Sequence, residues 1–156
     1  MPEKHLRKIA NRIYNLNFNN MKENQDFIFV QKADINEGLT TMTVTKAYMF
    51  FTKRFMFVIP RSDVQILGND SKFKDADAFK EQMLSKASEM PVEQFEAEMF
   101  AHLPEDRIFA IDGMDLFKIK AGFFGGMSFR KRGGQRKVAN LPRAKRKELK
   151  GFYNQI

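Results

Sequence analysis

The chain has 156 residues, 43% of them hydrophobic, and a formal net charge of +8 with no cysteine. This length and apolar content predict one domain (1–156) with a buried core, not a disordered tail. The lack of cysteine excludes a disulfide framework, a thiolate nucleophile and cysteine-ligated metal sites. The opening MPEKHLRKIANRI lacks the apolar segment of a secretory signal, and no apolar run is long enough to span a bilayer. We therefore expect a cytoplasmic protein.

Charge is distributed unevenly along the chain. Residues 1–68 carry a net charge of +4, residues 69–115 carry −7, and residues 116–156 carry +11. One part of the surface is therefore expected to be strongly basic and another acidic. Such a field attracts anionic partners but says little about the fold.

The first half of the chain reads as one helix followed by short strands. Glu3–Leu16 has apolar residues at spacings of three and four, which predicts an amphipathic N-terminal helix. Several short apolar or alternating runs then predict strands, two of them joined as a hairpin through Thr52-Lys53-Arg54. These predicted strands are Asp26–Lys32, Leu39–Thr45, Ala47–Phe51 and Phe55–Ile59, with a further short element at Val64–Leu67.

The acidic middle of the chain predicts a helical hairpin over residues 75–103. Phe79, Met83 and Ala87 recur at steps of four, and after Pro91 the same spacing recurs in a second run. This hairpin reads as an insertion in a scaffold of strands.

The basic end of the chain, with the stretch GFFGGMSFRKRGG at its centre, predicts a β-meander followed by a helix. Gly125-Gly126 and Gly133-Gly134 are read as two-residue turns, because glycine supplies the positive φ that tight hairpins need. A final helix is predicted after Pro142, with its apolar stripe at Leu149, Phe152, Tyr153 and Ile156. The predicted strands are Arg107–Ile111, Phe117–Phe124, Met127–Arg132 and Gln135–Leu141.

Three stretches resemble the pattern of bacterial PH-like and GRAM-like domains. They are MTVTKAYMFF, FVIPRSDVQIL and KIKAGFFGGMSFRKRGGQRKVANL with the helix that follows, within about residues 26–67 and 107–156. The resemblance implies an α+β fold: a curved antiparallel sheet or partial barrel with a C-terminal capping helix. It also implies a binding or scaffold role, with a lipid or protein partner. The N-terminal helix and the inserted acidic hairpin depart from the family pattern.

The outward positions of the meander are strongly basic. They form either a surface for the phosphates of lipid headgroups or nucleic acid, or an ordinary solvated face. The predicted anion-binding residues are Lys118, Lys120, Arg130, Lys131, Arg132, Arg136 and Lys137.

The Gly-Gly tip offers a predicted membrane contact. Phe124 and Met127 beside basic residues would form a small apolar wedge that also attracts anionic lipid, unless the tip folds back on the core. Alternation places Phe123 and Phe129 on the inner face and leaves Phe124 exposed. Cations interleaved with aromatic residues also suit RNA or DNA, which remains an alternative partner.

A third hypothesis is self-association. The acidic hairpin could bind the basic end of another copy, although Met83, Phe95 and Met99 at helical spacing are typical of a core. No catalytic motif is found, so we expect a non-enzymatic protein without cofactor or metal. Glu98 and His102 stand four residues apart on one helix, but no His-rich set accompanies them.

Overall fold

The computed structural model describes residues 19–36, 44–62 and 76–155. Over these ranges the protein is α+β, with a seven-stranded antiparallel sheet and three α-helices. The predicted helix Glu3–Leu16, the element Val64–Leu67 and nearly all of the predicted strand Leu39–Thr45 lie outside the described residues.

The sheet has the spatial order β4-β3-β2-β1-β7-β6-β5. The predicted hairpin of the N-terminal half and the predicted C-terminal meander both contribute to it. The strands are β1 (Phe27–Asn36), β2 (Val44–Thr52), β3 (Phe55–Pro60), β4 (Ile108–Ala110), β5 (Met114–Ile119), β6 (Met127–Lys131) and β7 (Lys137–Asn140).

The two end strands of the sheet are neighbours in sequence, which forces the sheet to curve. Only the single 3₁₀ turn Ile111–Gly113 separates β4 from β5. Three residues cannot span the width of a flat seven-stranded sheet, in which strands are about 4.8 Å apart. The curvature brings Phe109 of β4 against Phe129 of β6, with ring centroids 5.1 Å apart. The expectation of a curved antiparallel sheet is therefore confirmed.

The concave face of the sheet holds one core, closed by the C-terminal helix α3 (Arg143–Phe152). Inward residues of every strand pack there, among them Phe51, Phe129 and Ile119, and Leu149 and Phe152 of α3 pack against them. This confirms the prediction of a C-terminal helix that covers the sheet.

A second core lies on the opposite face of β1–β3, under the predicted helical hairpin. The hairpin consists of α1 (Ala76–Ser88) and α2 (Val92–His102). Met83, Phe95 and Met99 of the hairpin are buried against the sheet and therefore do not line an open partner groove. Since β1–β3 are covered on both faces, they read as nearly continuous apolar runs.

The β2–β3 turn connects both helical layers. On one side Arg54 reaches Glu96 of α2 with an Nη2–Oε1 distance of 2.8 Å. On the other side the Lys53 ammonium donates to the carbonyl of Phe152 and lies 3.7 Å from that ring's centroid. The Tyr153 hydroxyl donates to the carbonyl of Thr52. Burial and the nearby Glu96 carboxylate raise the pKa of Tyr153 above its ordinary value.

Candidate functional site

The most exposed aromatic residues of the described chain lie at the tip of residues 120–126, between β5 and β6. We call this segment the finger. Phe123 is 80% exposed and Phe124 is 96% exposed, and their rings meet edge to face with centroids 5.0 Å apart. Large apolar side chains at such exposure on a structured loop are candidates for contact with a partner.

The finger is anchored by a buried arginine. The Arg146 guanidinium of α3 donates through Nη1 to the carbonyls of Lys120 and Gly122, both at 2.7 Å, and through Nε to that of Leu141 at 3.0 Å. Only 5% of Arg146 is exposed. Arg146 lies outside the apolar stripe predicted for the last helix, so its burial was not expected from the sequence. Its charge neutralises no carboxylate among these contacts and instead fixes the foot of the finger.

Gly125 makes this anchoring sterically feasible. A Cβ atom built on Gly125 would lie 2.0 Å from the carbonyl oxygen of Lys120 and 2.1 Å from Nη1 of Arg146. A side chain at this position would therefore displace the arginine or the loop. Arg143 adds a further contact, donating from Nε to the carbonyl of Ala121 at 3.3 Å.

The finger also explains where the predicted meander differs from the observed one. The strand predicted over Phe117–Phe124 ends at Ile119, and Gly125-Gly126 belongs to a longer loop in place of a two-residue turn. Because Arg146 binds the carbonyls of Lys120 and Gly122, the backbone leaves the strand pairing there. The alternation of inward and outward side chains therefore stops at the end of β5. Phe123, predicted to face inward, is therefore exposed.

Met127 does not take part in the finger surface. It is completely buried at the start of β6, opposite Ile119 and Ala139 in the register. Its side chain points to the concave core because alternation in β6 directs Met127 and Phe129 inward. The predicted membrane contact at Met127 is thus wrong, and Phe123 stands beside Phe124 instead.

Three of the predicted anion-binding residues lie on the convex face of the meander. Lys118 is exposed and pairs in register with Ser128, whose hydroxyl oxygen accepts a hydrogen bond from Arg136 Nη2 at 3.2 Å. Arg130 lies on the same side and forms an ion pair with Asp115, with 2.8 Å between Nε and Oδ1. Lys120 is exposed at the foot of the finger, beside this face.

The remaining predicted cations lie elsewhere. Lys137 pairs in register with the inward residue Phe129, and its Nζ is 5.4 Å from the ring centroid of Phe109. Lys131 Nζ lies 4.8 Å from the same ring. Arg132 is exposed at the β6–β7 turn. The prediction that all seven cations share one face was wrong, because adjacent strand residues such as Arg130 and Lys131 point to opposite sides.

A shallow depression of about 230 Å³ lies at the foot of the finger. It is lined by Lys120, Phe124, Ser128 and Asn140, with four further residues between them. The arrangement can present an apolar tip and positive charge to the same partner.

The acidic and histidine side chains of the described ranges offer no comparable site. In the described ranges, no group of three or more His, Asp or Glu is placed to hold a metal ion. Glu98 pairs with Lys86 at 3.2 Å, and Nδ1 of His102 lies 2.8 Å from the carbonyl oxygen of Glu98. These two residues therefore make local contacts within the helical hairpin.

Among the described residues, no helix has the length and apolar character needed to cross a bilayer. Neither a protein-family model nor a curated protein sequence matches the chain.

Proposed function

We propose that the protein is a non-enzymatic, PH-like binding module that attaches to anionic membrane surfaces through the finger and the convex basic face. The observation that carries this proposal is the pair Phe123 and Phe124, nearly fully exposed on a loop held by a buried arginine. An unanchored loop would fold such rings onto the protein or remain mobile. A fixed apolar tip beside positive charge instead matches the interface of an anionic bilayer.

The expected energies fit reversible attachment. Fully burying one phenylalanine side chain contributes roughly 1.5–3 kcal/mol, and each cation near an anionic surface contributes about 1 kcal/mol. Lys118, Lys120 and Arg136 lie near the finger without a carboxylate partner among their described contacts. Two rings and a few cations therefore give binding that depends on both lipid charge and salt.

The PH-like interpretation is supported by the curved antiparallel sheet, the basic meander and the helix that packs on its concave face. The curved sheet and the capping helix are the features that the sequence resemblance implied. The helical hairpin over β1–β3 remains the main departure from that pattern.

Vesicle co-sedimentation tests the proposal. The probe is a vesicle of phosphatidylcholine with phosphatidylserine at 0, 20 and 40 mol%, at low and physiological salt. We expect binding to rise with phosphatidylserine and to fall with salt. Phe123→Ser/Phe124→Ser and Lys118→Glu/Arg136→Glu should each lower the bound fraction at least tenfold.

Two matched variants serve as controls. Phe100→Ser removes an exposed ring from the helical hairpin, and Lys22→Glu/Lys80→Glu makes the same charge change outside the sheet. Both should bind like the wild type. Binding that is lost equally in the controls, or that needs no anionic lipid, would contradict a dedicated surface.

A nucleic acid is a second candidate, favoured by the stacking surface that two exposed rings next to cations provide. The same variants tested against a mixed-sequence single-stranded RNA distinguish the two. Binding to RNA and not to vesicles, lost in Phe123→Ser/Phe124→Ser, would replace the membrane proposal.

A further inference from the structure

The two end strands of the sheet differ in how their edges are protected. At the β5 edge the Gln155 side chain takes the place of a strand: its Oε1 accepts from the amide of Ile119 and its Nε2 donates to the carbonyl of Phe117, both at 3.0 Å. The described residues place no such cover along β4, which is the opposite end of the sheet order. An uncovered strand edge can pair with another extended chain.

The register identifies the backbone groups that β4 presents. The Ile111 amide donates to the carbonyl of Arg54 at 2.8 Å, so Ile111 and, two residues earlier, Phe109 direct their backbone groups towards β3. Ile108 and Ala110 therefore direct theirs away from the sheet. Since the Ile108 amide already bonds to the carbonyl of Glu105, the outward groups are the Ile108 carbonyl and the Ala110 amide.

A groove of about 480 Å³ runs beside this edge, on the side of the helical hairpin. Its apolar wall includes Phe55, Phe100, Ile108 and Ala110. Phe100 is 45% exposed although its helix otherwise directs its large apolar residues into the core. Its ring packs edge to face against Phe55, with centroids 4.8 Å apart. The Phe100 ring is therefore held in place as part of the groove wall.

One end of the groove is basic. Lys131 and Arg132 line it, together with Glu105. Lys131 is held in place, because its ammonium donates to the carbonyl of Glu105 at 2.8 Å and lies over the ring of Phe109. With two cations and one carboxylate, this end of the groove carries a net positive charge.

We propose that this groove binds an extended peptide that adds to β4, places an apolar side chain against Phe55 and Phe100, and directs a carboxylate to Lys131 and Arg132. The outward Ala110 amide and Ile108 carbonyl supply the backbone pairing, the rings supply the side-chain pocket, and the two cations bind the carboxylate. Strand addition with pockets for alternate side chains is a recurring mode of peptide recognition. The surface is separate from the finger.

The test is selection from a displayed library of random dodecapeptides against the full chain. We expect enriched peptides to share an apolar residue with an Asp or Glu a few positions away, and to bind a Phe100→Glu variant at least tenfold more weakly. Arg132→Glu should weaken binding by a similar factor, whereas Arg136→Glu, the same charge change on the convex face, should not. Circular dichroism confirms that each variant is folded.

Hydrogen exchange on the complex provides a second readout. A selected peptide should slow exchange of the Ala110 amide, and a version N-methylated along its backbone should not. No enrichment above that on the Phe100→Glu protein, or enriched peptides without a carboxylate that bind Arg132→Glu normally, would overturn the proposal. Vesicle binding by Phe100→Glu is expected to be normal, so the peptide surface and the membrane surface can fail independently.

Discussion

Arg54 Nη2 lies 2.8 Å from Oε1 of Glu96, yet the two residues have opposite environments: the Arg54 side chain is 62% exposed and that of Glu96 is 2% exposed. The Thr52 hydroxyl also donates to Glu96, at 3.3 Å from Oε2. The hydrogen bond with Glu96 raises the pKa of Arg54. The Glu96 carboxylate of α2 thus stays buried, and its charged partner is an arginine that reaches it from the surface at the β2–β3 turn.

Removing the arginine should destabilise the protein more than neutralising the carboxylate. Arg54→Ala leaves a buried charge with only Thr52 as a described partner, and we expect a loss of about 1–3 kcal/mol, since partial exposure of the pair screens the interaction. Arg54→Ala/Glu96→Gln should recover part of this loss, because a neutral amide tolerates burial. Urea denaturation of the wild type, both single variants and the double variant measures the coupling. Additive effects would show that the pair is not coupled.

Glycine at position 125 should be required, whereas glycine at position 122 should not. A Cβ on Gly125 would collide with Lys120 and Arg146, but one on Gly122 meets nothing within 4 Å. Gly125→Ala is expected to lower stability by about 1–3 kcal/mol, in the range of overpacking, and Gly122→Ala to change it by less than about 0.5 kcal/mol. Thermal unfolding of the two variants provides the comparison. Equal effects would mean that the arginine anchor does not restrict the loop.

Two neighbouring apolar residues of the β5–β6 hairpin should respond in opposite ways to truncation. Met127→Ala opens a cavity in the concave core and should cost about 2–5 kcal/mol. Phe124→Ala removes an exposed ring and should leave stability within about 0.5 kcal/mol of the wild type. Chemical denaturation measures stability, and vesicle binding should be weakened by Phe124→Ala alone when both proteins are folded. A stable Met127→Ala variant would contradict the burial of that side chain.

Stability should fall at alkaline pH because of Tyr153. Its folded-state pKa is raised, so its contribution is intact below the unfolded-state value near 10 and is lost as the pH rises above it. The slope attributable to one such group is about 1.4 kcal/mol per pH unit. At pH 8, Tyr153→Phe should be less stable than the wild type by about 0.5–1.5 kcal/mol, through loss of the bond to Thr52. Denaturation at pH 8, 10 and 11 should show this gap closing. A constant gap would show that Tyr153 ionises normally.

The elements that the sequence predicted best are those with a strong local pattern. The acidic hairpin followed from apolar residues at steps of four, and α3 followed from the stripe that includes Leu149 and Phe152. The strands β2 and β3 were found from two apolar runs around Thr52-Lys53-Arg54. These patterns are set by residues close in the chain, so a single sequence is sufficient.

The finger could not be predicted because it depends on a contact between distant residues. In the sequence, the alternation of inward and outward side chains continues through Phe123. No local pattern indicates that Arg146 donates hydrogen bonds to the carbonyls of Lys120 and Gly122. An arginine in a basic helix reads as solvent-exposed unless its partners are known. The one available signal was Gly125, since paired glycines also occur where backbone and side chain approach closely.

The anchor of the finger lies in a helix that also completes the concave core. Any ligand that holds residues 120–126 in their observed form therefore also favours the position of α3, and by reciprocity a frayed α3 weakens the ligand's hold. Ligand binding at the tip should therefore slow amide hydrogen exchange in α3. A substitution that frays α3 would likewise weaken binding at the tip.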